Sequence, residues 1–255
     1  MNSSQITGAS GAGPSKTSVK KAGEVLRAFQ VTQILYGKDE INKYQAAYQT
    51  LVDYRALHQY PLIKATNGLR SVVETERCKS EVSQRLKRIP TILDKLRREP
   101  GMDLSRMQDF GGCRAVLENL DEVRRVQERV IKNHKNRNGS GPHVKDYISE
   151  PRESGYRGVH VVVIYDGRLV EVQLRTKVMH DWAITVERLA GRTGIDLKSS
   201  QGPPEIQEFF SLASTLMAVD EVGGDADPDM LSRMTALREG AIQFLSRDRH
   251  TREGD

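Results

Sequence analysis

Glu171, Gln173 and Arg175 stand at alternate positions of the segment Leu169 to Thr176, with Val170, Val172 and Leu174 around and between them. In a strand, successive side chains point to opposite faces. A carboxylate, an amide and a guanidinium therefore line one face, and three aliphatic groups line the other. Polar groups of this kind are costly to bury without partners, so their face is either wet or a site. Upstream, the β-branched run Val159 to Tyr165 ends at Asp166-Gly167, the strongest short-range signal for a hairpin. A two-residue turn there pairs Tyr165 with Arg168, Val162 with Glu171 and His160 with Gln173, and opposed residues share a face. His160 is thus expected beside Gln173 and close to Glu171 and Arg175. A run as apolar as Val161 to Ile164 suggests a central strand, which favours the site over the solvated face.

Three other constellations could serve the same chemistry. Arg85-Leu86-Lys87-Arg88, Lys95 and Arg97-Arg98 surround a short helix opened by Pro90, with Lys87 and Lys95 expected to bracket an N-terminus that already favours anions. Asp109 precedes two glycines and Arg114 at the entrance of another strand, where it could join Glu171 as a hard-oxygen ligand for magnesium. The loop from Lys145-Asp146-Tyr147-Ile148 to Gly155-Tyr156-Arg157 interleaves bases and aromatics, and Tyr156 could stack a nucleobase. His180-Asp181 has no companion histidines at ligand spacing and carries little weight.

The elements that would position these groups can be read from periodicity. Met1 to Thr17 is Ser/Gly/Ala-rich and is expected to be disordered. Residues 18–84 are expected to form N-terminal helices, the helical pattern running on to Lys87. Their apolar stripes are Val25, Phe29 and Thr32, then Ile41, Tyr44, Tyr48, Leu51 and Val52, then Leu62, Leu69, Val72 and Val73. Residues 85–199 would form the core: the Pro90 helix, a strand at Cys113 to Leu117, a helix at Leu120 to His134, the hairpin, and a helix at Lys177 to Ala190. Residues 200–255 close the chain with two helices. The expected class is α/β (α+β), a mixed β-sheet with flanking helices at both ends.

The 255 residues carry a net charge of +5, which favours polyanionic partners, though weakly. Cys78 and Cys113 lack metal-ligand spacing, no apolar run approaches a membrane span of about 20 residues, and no signal-peptide core opens the chain. A cytoplasmic protein without membrane contact is expected.

Taken in order, these segments resemble the synthetase domain of the RelA/SpoT family, nearest in length to its small alarmone synthetases. Arg85-Leu86-Lys87 with Thr91-Ile92 and Lys95 is similar to R-x-K…S-I-x-x-K, and Asp109 to Arg114 to D-x-x-G-x-R. Lys145 to His160 is similar to K-D-Y-I-x-x-P-K-x-N-G-Y-R-S-x-H, and Glu171 to Thr176 to E-V-Q-I-R-T. The resemblance implies a nucleotidyltransferase-like core and transfer of the β,γ-pyrophosphate of ATP to a ribose 3′-hydroxyl. It implies that Arg85, Lys87, Lys95 and Arg114 bind ATP, with Arg85 on the adenine. Lys145, Tyr156, His160, Gln173 and Arg175 would hold the acceptor, with Tyr156 stacking its base. Asp109 and Glu171 would carry Mg2+, and Glu171 would draw the proton from the attacking hydroxyl.

This chain departs from the pattern at Ser154, where the family has Asn, and at Gly158, where it has Ser. Glu187-Arg188-Leu189-Ala190 and then Gly194-Ile195-Asp196-Leu197-Lys198 also stand where small synthetases usually have Glu-His and then Tyr-Lys, a tail that looks more like the toxic members of the family. These departures lean the acceptor narrowly toward the 3′-terminal adenosine of tRNA, a growth-inhibitory reaction needing a neutralising antitoxin. GDP or GTP, the alarmone acceptors, remain the alternative. A non-catalytic RNA-binding module is a third reading. The basic stretch Lys16, Lys20, Lys21 and Arg27 could hold an acceptor stem, and the C-terminal helices could support homo-oligomers.

Overall fold

The computed structural model describes residues 13–29, 37–135, 141–195, 197 and 202–250, without the side chains of 245–250. Eight α-helices and five strands follow one another among them. In chain order they are α1 (Lys16–Ala28), α2 (Lys38–Ala56), α3 (Gln59–Thr75), β1 (Glu81–Leu86), α4 (Ile89–Arg98) and β2 (Gly111–Leu117). Then come α5 (Leu120–Asn133), β3 (His143–Asp146), β4 (Val159–Tyr165), β5 (Arg168–Thr176), α6 (Lys177–Thr193), α7 (Pro204–Glu221) and α8 (Pro228–His250). The sheet is mixed, with strand order β1-β2-β5-β4-β3. The expected α+β class is thus observed, and β4 and β5 are interior strands.

Local chemistry explains the elements. Asp166 and Gly167 both have positive φ, 48° and 72°, as a two-residue type I′ turn requires. Val170, Val172 and Leu174 are buried while Glu171 and Gln173 keep partial exposure, which is the parity expected of β5. Ser15 caps α1 by accepting from the Ser18 amide, Asn119 caps α5 by accepting from Glu122, and Pro90 sits in the first turn of α4.

The chain separates into two compact units. One comprises Met1–Lys64, Gln84–Gly112 and Ile164–Val170; the other comprises Ala65–Ser83, Cys113–Val163 and Glu171–Asp255. The core of the first includes Val19, Leu26, Leu51, Ile92, Leu96 and Phe110. That of the second includes Trp182, Val186, Leu197, Ile206 and Phe210.

Several expectations are corrected. Lys16 and Thr17, expected in a disordered tail, form the start of α1; residues 1–12 lie outside the described ones. The helical pattern expected through Lys87 is broken by β1, so Arg85 is a strand residue. The buried face of α2 is Ala47, Leu51 and Tyr54, whereas Ile41 and Tyr48 are exposed. Periodicity gives a helix's spacing but leaves the phase of its buried face to its neighbours. In α1 the buried residues are Val19, Ala22, Gly23 and Leu26, and Thr32 falls outside the described residues. The strand β3 lies where the sequence suggests only a loop, its four residues being too few for a period.

His58 is 2% exposed, its ring stacked on Phe110 at 4.8 Å, with Nδ1 2.9 Å from the Tyr54 carbonyl. Burial, only partly offset by that carbonyl, lowers its pKa to about 4. The unfolded chain therefore binds the proton more tightly. The stability His58 confers is complete above about pH 6.5 and is lost as pH falls toward 4, amounting to about 3 kcal/mol at that end. Urea titrations at pH 7 and pH 4 should show wild type losing about that much more than His58→Leu. Equal losses in both proteins would refute this.

Candidate active site

Within the first unit, α4 and the ends of β1 and β2 bring two lysines onto one carboxylate. Lys87 Nζ lies 2.7 Å from Asp109 Oδ2, and Lys95 Nζ lies 3.2 Å from Oδ1. The backbone of Lys87 is held at both ends: its amide donates to Phe110 O at 2.8 Å, and Arg55 Nε donates to its carbonyl at 2.7 Å. All three charged groups are about one-fifth exposed. Two ammonium groups against one carboxylate leave an excess positive charge suited to a polyphosphate. Lys95 belongs to the last turn of α4, so the expected bracketing of the helix N-terminus is corrected. Spacing of eight residues alone could not show that Asp109 is where the two lysines meet. Arg85 is exposed on β1.

The second unit holds a ring of polar contacts along β4 and β5, four hydrogen bonds closed by one ion-pair contact. Gln173 Nε2 donates to Glu171 Oε1 at 2.6 Å, and His160 Nδ1 lies 3.3 Å from Glu171 Oε2. His160 Nε2 is 2.5 Å from the Tyr156 hydroxyl. One terminal nitrogen of Arg175 donates both to that hydroxyl, at 2.8 Å, and to Gln173 Oε1, at 3.1 Å. A carboxylate at Glu171 would accept from a hydrogen on His160 Nδ1, the tautomer in which Nε2 accepts from Tyr156 O–H. Every member thereby constrains the next, and the Glu171 carboxylate is fixed by donors on both of its oxygens. Lys145 is the register partner of His160 on β3, which puts it on the same face, exposed.

Around the ring lie residues that sequence reasoning leaves unassigned. Arg152 sits 4.4 Å above the Tyr147 ring and 5.5 Å from that of Tyr156, and donates to Tyr147 Oη at 2.8 Å. Its place where the family has Lys is the signal that could have found it. Tyr156, expected to stack a base, is 5% exposed; Arg175 lies 4.9 Å from its ring, and burial pushes its phenol pKa up. His180, which carries little weight by spacing, lies near Arg114 and Arg175: burial first, then those two charges, lowers its pKa. Arg114 is half-buried and reaches Ser83 Oγ at 3.4 Å. Arg175 is 4% exposed and its Nε has no hydrogen-bond partner, a buried donor suited to an anion.

Asp109 belongs to the first unit and Glu171 to the second. Among the described residues no three His, Cys, Asp or Glu side chains cluster as a self-sufficient metal cage. Single carboxylates fit magnesium nonetheless, because that ion takes one or two protein oxygens and completes its shell with water and substrate phosphates.

Lysines on a carboxylate in one unit, and a strand glutamate among cationic donors in the other, are each suited to phosphorylated substrates. The family described as "Region found in RelA / SpoT proteins" matches residues 84–188. Over 207 residues the chain is 34% identical to the GTP pyrophosphokinase YjbM of Bacillus subtilis (strain 168), covering 76% of this chain and 91% of that one. It is 27% identical over 140 residues to the GTP pyrophosphokinase of Escherichia coli (strain K12), covering 54% of this chain and 18% of that one. The crystal structure of the small alarmone synthetase 1 from Bacillus subtilis, bound to its product pppGpp, superposes with a TM-score of 0.54 at 27% identity. That match covers 70% of this chain and 94% of the other. The chain belongs to the RelA/SpoT family, and it is a pyrophosphokinase, a diphosphotransferase.

Proposed function

We propose that this enzyme transfers the β,γ-pyrophosphate of ATP to the ribose 3′-hydroxyl of GDP or GTP, making an alarmone and releasing AMP. The observation that carries the proposal is Glu171, held by Gln173 and His160 on the polar face of β5. In this reading the 3′-oxygen forms a bond to the β-phosphorus of ATP as the bond from that phosphorus to the α,β-bridging oxygen breaks. The 3′-proton passes to a Glu171 oxygen. Lys87 and Lys95 exchange Asp109 for ATP phosphates, Arg85 meets the adenine, and Arg114 steadies the donor. Asp109 and Glu171 are the residues that would hold magnesium, which when bound neutralises charge on the transferred group. Arg175 and Gln173 orient the acceptor through the ring, and Lys145, on the same face as His160, meets its phosphates. Tyr156 contributes its hydroxyl to the ring and meets the acceptor base only if Arg152 and its neighbours yield the ring face.

The guanosine acceptor is favoured because the Bacillus subtilis relative, 91% of whose length the chain covers, carries that activity in its name. Transfer to tRNA, with an antitoxin to restrain it, is supported by the exposed Lys16, Lys20 and Lys21 on α1. Its fourth cation does not contribute: the Arg27 guanidinium donates to the carbonyls of Leu96 and Met102, closing the end of α4. We place the reaction in the cytoplasm, where ATP is available; among the described residues no helix is long and apolar enough to cross a membrane.

Incubation with γ-labelled ATP and GDP, GTP, ATP or deacylated tRNA, each offered alone, tests the reading. Label on GDP or GTP is the expected result. Label on tRNA alone would replace the alarmone with the toxin, and label on no acceptor would favour the RNA-binding module.

A further inference from the structure

Helix α7 lies outside the segment matched to the family, yet it is built against the loop that precedes β4. Gly155 has φ +85°, and a Cβ there would stand 2.8 Å from Ser211 Cα, 3.0 Å from Phe210 O and 3.1 Å from Ser214 Cβ. The loop backbone therefore rests directly on the backbone of α7. The Trp182 indole donates to Phe210 O at 3.1 Å, tying α6 to the same turn of α7. Two residues beyond Gly155, Arg157 donates to Glu221 Oε2 at 2.9 Å, with side-chain exposures of 8% and 7%. The other oxygen, Glu221 Oε1, is buried without a hydrogen-bond partner.

A buried ion pair of this kind contributes little net stability, because desolvation offsets the attraction, yet neither partner can leave the other without stranding a buried charge. Tyr156 lies between the two anchor points, Gly155 and Arg157. Its hydroxyl must come within hydrogen-bond distance of both His160 and Arg175 for the ring to close. We propose that Glu221 is a positioning residue for the acceptor side of the transfer: by holding Arg157 it sets the backbone around Tyr156, and through the ring it sets Glu171. Helix α7 thereby acts on the chemistry without touching substrate. This inference rests on the pyrophosphokinase reading of the site given above.

Glu221→Gln keeps the shape of the side chain and removes its charge. It should raise the acceptor KM or lower kcat by about tenfold or more, with the KM for ATP unchanged, since small misplacements of reacting groups are costly. The double variant Arg157→Glu with Glu221→Arg should recover most of the loss. Hydrogen exchange of the loop 151–158 gives a second readout independent of turnover, and its amides should exchange faster in Glu221→Gln. Unchanged kinetics and unchanged exchange would overturn the proposal, as would an equal rise in the KM for ATP. If Glu221→Gln does not fold, Glu221→Asp, which retains charge but withdraws the carboxylate, is read in the same way. A wild-type enzyme inactive with every acceptor would sink the functional reading instead, while the exchange result would still judge Glu221.

Discussion

Glu171→Gln should lower pyrophosphate transfer by about 10²–10⁴-fold, the span associated with loss of a positioned general base. The substitution is nearly isosteric. The new amide oxygen still accepts from Gln173 Nε2, which lies 2.6 Å from the present Oε1. The amide nitrogen then faces His160 Nδ1, 3.3 Å from the present Oε2, and the histidine answers by moving its hydrogen to the other ring nitrogen. Burial and packing are retained, so circular dichroism and melting temperature should stay near wild type. What disappears is an oxygen able to take the 3′-hydroxyl proton and to serve as a hard ligand for magnesium. Single-turnover measurement with labelled ATP separates this loss from weaker binding. Undiminished turnover in a folded Glu171→Gln protein would eliminate the mechanism.

Gly155→Ala should be among the most destabilising single-methyl additions in the second unit. Its φ of +85° is strained for an L residue, and the nearest contact of the added carbon is backbone rather than a side chain that could rotate away. Left-handed strain and overpacking together suggest about 2–5 kcal/mol. For a chain of this length the melting temperature should fall on the order of 10 °C. The displacement would also pull Tyr156 from its partners, so transfer should decline even at temperatures where the variant is folded. Gly167→Ala offers a comparison at similar φ, +72°, because nothing lies within 4 Å of its Cβ position and only the strain remains. Equal melting temperatures for the two variants would show that α7 does not press on the loop.

Much of the site is legible in the amino-acid sequence because strands have a period of two. With Asp166-Gly167 as a tight turn, the parity of Glu171, Gln173 and Arg175 follows. Folding joins them with His160 in one ring. Helical segments are legible as to existence and poorly as to facing, as the exposed Ile41 and Tyr48 of α2 illustrate. The strand β1 is hidden because its six residues show no clean alternation of burial. Lys95 is expected at the wrong end of its helix: Pro90 does open α4, but Lys95 falls in the last turn, where it meets Asp109.

Local periodicity and turn chemistry, carried in neighbouring residues, are enough to determine the α+β class, the hairpin and its polar face, while four ordered motifs carry the family resemblance. The pairing of Lys87 and Lys95 on Asp109, the diversion of Arg27 to backbone carbonyls and the burial of Arg157 against Glu221 are decided only in three dimensions. Arg157 and Glu221 are 64 residues apart, and no local pattern records which buried charge will find which partner. That choice is made when desolvation forces each charged group to seek a counterpart within reach in the folded chain.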